Sequence, residues 1–373
     1  MICVILLLID NKKHKTKIIQ IICGAIVGFC LGIFISMNIP ANSLIPFFII
    51  FFITTIITYP LTVIIHESGH LILGLLSGYK FISFSINNKI IIKQNNSFQI
   101  KTYSLLGTAG QCLLKPPPYN QHFPYFLYNI GGGLFNLIFA FISFGLCIIL
   151  KDNFVIKITL STFALINLFT GCLNLLPLKL DVPNDGYNIL MMFKEKDSRF
   201  GFYSQMTIYD LMINGIKLQD MDETLFQLPD NCNLNNPLNQ SIIINKTASL
   251  HEQLKFNEAK ILIDQLNQQC TLFPLFKNEL DCEYLFYLIM ENPQNPEIKK
   301  LYQKLEKYIK MTIKTSLERQ RQLYAYELLV NDNPIQANHY LDKFNILSKN
   351  YPLDVTIKSE KEIFNLILKQ SKN

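Results

Sequence analysis

Tryptophan is absent from this 373-residue sequence, histidine occurs only 6 times, and charged residues make up only 17% of the chain. An ordinary soluble domain carries about 25% charge, so a wholly soluble protein is a poor fit. The shortage is local. Residues 1–189 hold 12 Lys/Arg against 5 Asp/Glu, whereas residues 190–373 hold 22 against 23 and have the composition of a soluble protein. No Cys-x-x-Cys pair occurs, and the 9 cysteines are odd in number with five of them in apolar runs. Neither a disulfide framework nor a cysteine zinc knot follows, and the cysteines read as small apolar fillers. Disorder and collagen are excluded by composition. The net charge of +6 arises beside apolar segments and needs no nucleic acid to explain it.

Acids and bases are also missing from the whole of Ile18–Ile65. That run is long enough for two crossings at about 20 residues each, and Asn38-Ile39-Pro40-Ala41-Asn42-Ser43 supplies the turn between them. The expected spans are 18–37, 44–76, 125–150 and 154–178. Lys12, Lys13, Lys15 and Lys17 precede the first span, and Lys80, Lys89, Lys93, Lys101 and Lys115 follow the second. By the preference of basic residues for the cytoplasmic side, this predicts a multi-pass plasma-membrane protein with both termini in the cytoplasm. The Ile-, Asn- and Lys-rich usage suggests a bacterial source.

Within residues 80–104 the pattern alternates: Phe81-Ile82-Ser83-Phe84-Ser85-Ile86, a turn at Asn87-Asn88, then Lys89–Lys93 and Ser97–Lys101. A β-hairpin or three-stranded sheet at the membrane surface is expected. It is either a connector or an exposed edge to which an extended chain adds as a strand.

The second span ends in Ile65-His66-Glu67-Ser68-Gly69-His70-Leu71. In H-E-x-x-H on a helix the two imidazoles lie four residues apart on one face and can bind one zinc, with Glu67 as general base. A carboxylate at membrane depth costs roughly 2.5–3.5 kcal/mol on insertion scales, which argues for a partner or a role. A zinc site that keeps one open position needs a third protein ligand. The segment Leu173–Asn188, broken by Pro177 and Pro183, offers Asp181 and Asp185, and His122 in a Pro-rich loop is a rival. His14, His251 and His339 stand in hydrophilic contexts and read as surface residues.

Together these motifs resemble the site-2 protease family of intramembrane zinc metalloproteases. The likeness covers residues 44–190 and rests on the apolar-helix H-E-x-x-H, Asn174-Leu175-Leu176-Pro177, Asp185-Gly186, the β-rich loop, and Asn129-Ile130-Gly131-Gly132-Gly133-Leu134-Phe135-Asn136. It implies one zinc per chain held by His66, His70 and an aspartate, Glu67 as general base, and Asn174 as a substrate-binding residue. Asp181 more nearly keeps the family's spacing after the proline, but Asp185 carries the more specific Asp-Gly pair and is the expected ligand. The Gly110-Gln111-Cys112-Leu113-Leu114-Lys115-Pro116-Pro117 stretch and Asp-Gly-Tyr-Asn resemble a bacterial subgroup linked to processing or export of small peptides.

The expected architecture is therefore mainly α. A membrane metalloprotease core over 1–190 carries a small β insertion, and a cytoplasmic helical half over 191–373 resembles tetratricopeptide-type pairs. In that half, 249–268 and 296–321 read as long helices and 320–330 with 334–350 as a helical hairpin, a platform for a protein partner or for the substrate's cytoplasmic tail. The expected activity is hydrolysis of peptide bonds in membrane-embedded or membrane-associated substrates. Two other readings are a catalytically silent relative acting as a binding or export module, and a membrane-tethered zinc protease acting on soluble chains.

Overall fold

A computed structural model describes residues 43–95, 97–103, 108–150, 152–178 and 183–372. The expected first span over 18–37 and Asp181 lie outside the described residues. The architecture is mainly helical, with twelve helices among the described residues and one four-stranded antiparallel sheet.

Three helices are long and apolar enough to cross a membrane: α1 (Leu44–Leu76), α2 (Tyr125–Ile149) and α3 (Phe154–Leu175). They are arranged inside out. On α1 the buried Thr54, Thr58, Thr62, His70 and Gly74, with the half-buried His66, follow one another at four-residue steps, whereas Phe48, Ile49, Phe52, Ile53, Ile56 and Ile57 point outward. On α2 the buried side includes Gly131, Gly132, Gly133, Asn136 and Ala140, and on α3 Ser161, Ala164, Asn167 and Gly171. Small and polar side chains at helix contacts with apolar ones outside are the pattern of helices packed within lipid. At Gly69 a Cβ would stand 2.2 Å from the Gly131 carbonyl oxygen, so α1 and α2 touch backbone to backbone beside the H-E-x-x-H motif. Helix α3 stops at Leu175 rather than at 178 because Pro177 pushes Leu176 to extended backbone.

The sheet comprises β1 (Lys80–Ile86), β2 (Lys89–Gln94), β3 (Ser97–Thr102) and β4 (Gly110–Lys115), in the order β3-β2-β1-β4. Asn87 (φ 52°) and Asn95 (φ 48°) make its tight turns in the left-handed region that Asn tolerates. The fourth strand goes beyond the expected three. It pairs with β1, with Cys112 opposite Phe84, and it packs on α1, where Leu114 lies against Gly74. On one side of the sheet Ile82, Ile90 and Ile92 pack on Ile213.

Helix α4 (Asp185–Lys194) follows the Pro-rich segment and α5 (Ser198–Ile213) continues into the C-terminal helices: α6 (Pro237–Glu252), α7 (Phe256–Gln269), α8 (Pro274–Glu291), α9 (Glu297–Thr312), α10 (Leu317–Ala325, prolonged by a π turn over Tyr326–Val330), α11 (Pro334–Ser348) and α12 (Asp354–Gln370). The expected 249–268 helix is two helices, broken where Leu254 takes φ 60° and Lys255 N–H reaches the Leu250 carbonyl, a helix ending usually made by Gly. The 296–321 stretch is likewise two, because the Ser316 side chain caps α10 by accepting from Arg319 N–H. The expected hairpin over 320–350 is present as α10 and α11.

Arg319 and Arg321 are fully buried here. The Arg321 guanidinium donates to Glu283 on α8 and Glu360 on α12, each at 2.7 Å, and Arg319 donates to Glu279 at 2.7 Å. His251, expected at the surface, is half-buried instead, 3.0 Å from the Tyr287 hydroxyl and beside Glu283. Burial first, then the Arg321 charge, holds its pKa down to about 3. The hydrophilic context in the sequence belongs to a buried ionic cluster and not to a solvated face. Removing one partner of such a cluster strands the others, at a cost of about 3–5 kcal/mol. Arg321→Ala is therefore expected to lower the unfolding temperature of the C-terminal helices by many degrees, with partial recovery on adding Glu283→Gln and Glu360→Gln, as read by thermal circular dichroism and limited proteolysis of the detergent-purified chain.

Candidate metal centre

His66 and His70 lie one turn apart on α1, and α4 brings Asp185 to them. The His66 Nε2–His70 Nε2 distance is 3.1 Å, and the Asp185 Oδ2 atom lies 3.2 Å from the first and 3.4 Å from the second. The local sequence explains the approach. Asn184 caps α4, so Asp185 is its first residue. At Gly186 a Cβ would stand 2.2 Å from the Leu175 carbonyl oxygen, and only glycine lets α4 begin this close to the end of α3. Asp185 thus opens a separate short helix instead of lying in a broken part of the fourth span.

The ring orientations follow from the outer contacts. Asn136 Nδ2 donates to the Thr62 carbonyl at 3.1 Å and to Asn167 Oδ1 at 2.9 Å, which turns Asn136 Oδ1 toward His66 Nδ1 at 2.8 Å. That oxygen can only accept, so His66 Nδ1 carries the hydrogen. His70 Nδ1 likewise faces the Tyr128 carbonyl oxygen at 2.7 Å and donates to it. With Nδ1 engaged in this way, both imidazoles turn Nε2 toward the buried Asp185 Oδ2 atom, so Nε2 is the nitrogen each ring offers to a metal ion once it carries no hydrogen. Two imidazole nitrogens and a carboxylate oxygen within 3.4 Å of one another need a shared proton or a cation among them.

A divalent ion fits this donor set. Ligand bonds of 2.0–2.1 Å in tetrahedral zinc put ligand atoms about 3.3 Å apart, close to the spacings here. The room is also provided. A Cβ on Gly132 would stand 2.5 Å from both Nε2 atoms, so the glycine keeps α2 from filling the space in front of them. The hydrogen-bonded Asn136, Asn167 and Tyr128 carbonyl are the kind of support that fixes the ring orientation of metal-binding histidines.

Glu67 is buried on the same turn. Strand β4 sets its position: Gly110 approaches its Cγ, and the Cys112 N–H donates to its carboxylate. The Cys112 carbonyl accepts from the Tyr128 hydroxyl at 2.6 Å, so β4 ties α1 to α2 at this level.

Among the described residues His66, His70 and Asp185 are the one cluster able to hold a metal ion. The rival His122 is exposed in the segment between β4 and α2. Asn174 sits on the last turn of α3, half-buried, and donates to the Thr170 carbonyl of its own helix at 3.1 Å; it stands outside the three-ligand cluster. The ring-orienting contacts of Asn136 and Asn167 and the space left by Gly132 are not among the features expected from the sequence. Polar residues inside apolar helices were the available signal. No protein-family model matches the chain, and neither a curated protein nor a solved structure matches it.

Gly132→Ala is expected to abolish metal binding, since its methyl group would occupy the ligand cleft, while Gly145→Ala on the same helix, where a Cβ meets nothing, leaves metal content unchanged. Metal analysis of both purified variants by mass spectrometry checks this.

Proposed function

We propose that the chain is a zinc-dependent intramembrane endopeptidase of the site-2 protease type, hydrolysing peptide bonds of membrane-embedded substrates. The observation that carries this reading is the convergence of the two Nε2 atoms and the Asp185 carboxylate oxygen at the end of an apolar helix. Further support comes from the buried Glu67 carboxylate beside that cluster and from three helices of membrane-crossing length.

In this reading His66, His70 and Asp185 hold the ion and Asn136 and the Tyr128 carbonyl keep the imidazoles aimed. When bound, zinc supplies a Lewis acid that polarises the scissile carbonyl and makes water acidic enough to attack near neutral pH. Glu67 takes the proton from the attacking water and passes it to the leaving amine nitrogen. The Cys112 N–H orients that carboxylate and leaves its other lone pairs for the water.

A substrate helix has its backbone bonds satisfied internally and must unwind before attack. The sheet's exposed edge is β3, whose residues are exposed apart from a half-buried Lys101, and a strand added there is four strand spacings, about 19 Å, from β4. Strand addition at β3 would therefore hold a segment flanking the cleavage site, with the scissile bond reaching Glu67 several residues further along. Maturation or export of a small peptide fits a membrane-embedded substrate of this kind, and the C-terminal helices would serve a partner or the substrate's cytoplasmic tail. Glu67→Gln is expected to abolish cleavage of a membrane-peptide library while zinc content stays near one per chain; Asp185→Ala loses both and Asp181→Ala neither. Cleavage by Glu67→Gln within a few-fold of the parent would overturn the role given to Glu67, and no zinc in the parent chain would overturn the proposal itself.

A further inference from the structure

The third ligand reaches the histidines from a different helix, across a break in the chain direction, and one side chain spans that break. Asn184 is almost fully buried. Its Nδ2 donates to the carbonyls of Leu173 and Leu176, both at 2.7 Å, and its Oδ1 accepts from Tyr187 N–H at 2.9 Å and Leu178 N–H at 3.3 Å. The first two partners are orphan carbonyls at the end of α3, and the third is an orphan N–H at the start of α4. A helix end left unsatisfied in a buried place is costly, and here one amide answers both ends at once.

We propose that Asn184 is the positioning residue of the metal centre, a latch that fixes Asp185 against the two imidazoles by joining the end of α3 to the start of α4. The proposal rests on the zinc reading above. It is set apart from ordinary capping by its chemistry. A cap needs only an acceptor, which Ser or Asp supplies as well as Asn, whereas the latch needs two N–H donors, which neither supplies in that place. The far end of α4 is tied separately to the C-terminal helices, where Glu195 accepts from Asn233 and Asn236 and Arg199 Nε donates to the Met192 carbonyl. Without the latch α4 keeps that anchorage, and its first residue is free to swing away from His66 and His70.

The test uses the full-length chain in detergent, with zinc alone and with cobalt(II) alone as probes. Asn184→Ser and Asn184→Asp both keep a capping acceptor and lose the two donors. Both are expected to bind zinc about 10–100-fold more weakly, the usual effect of losing an outer-shell partner, and to shift the cobalt d–d absorption, with an unchanged unfolding temperature of the C-terminal helices. A parent chain that binds zinc, alongside two variants of parental affinity and cobalt spectrum, would overturn the latch alone. A monodisperse parent chain that binds neither ion would overturn the zinc reading and the latch with it.

Discussion

Two imidazole nitrogens and a carboxylate oxygen face one another at 3.1–3.4 Å, and contacts from three helices keep them there. The helix backbone places the two histidines on one face, but it does not choose their ring orientation or tautomer. Asn136 and the Tyr128 carbonyl do that from α2, and Asn167 on α3 in turn fixes Asn136. The same three helices thus supply both the ligands' surroundings and the boundary of the cleft. Acceptors held this close are tolerated in a buried place only when a cation or proton shares the space, and the spacing together with the opening left by Gly132 suits an ion of zinc's size.

The three long apolar helices show how an apolar sequence can build a polar centre. In water the apolar face of a helix turns inward; here threonines, asparagines and glycines turn inward and isoleucines and phenylalanines outward. Glycine contacts bring α1 and α2 backbone to backbone beside the motif, and β4, lying along α1, supplies the N–H that holds Glu67. The sheet thereby becomes part of the site's frame at one edge while its opposite edge is left exposed. The C-terminal helices reach this frame through α4 and through the sheet, where Lys101 donates to the Tyr351 carbonyl and to Asp354.

Helix spacing made the H-E-x-x-H pair legible from sequence, and long apolar runs made the helices expected at 44–76, 125–150 and 154–178 legible to within a few residues. The Asp185-Gly186 pair was legible for a physical reason that only the structure displays: the glycine lets α4 start against the Leu175 carbonyl. Strand β4 was missed because Gly110-Gln111-Cys112-Leu113-Leu114-Lys115 does not alternate, being covered by β1 at one edge and by α1 and α2 elsewhere. The break at Leu254 was missed because the residue taking the left-handed conformation is not glycine or asparagine. His251 was misread because pairing across α6, α8 and α10 cannot be seen in the local charge pattern that surrounds a single position.

The most direct measurement is zinc K-edge X-ray absorption on the full-length chain purified in detergent without added chelator. Bound zinc at about one per chain, with two imidazole nitrogens and light oxygen donors at about 2.0–2.1 Å and no sulfur, is the predicted result. A chain purified without zinc and unable to take it up, or an ion ligated by cysteine sulfur at about 2.3 Å, would contradict the account.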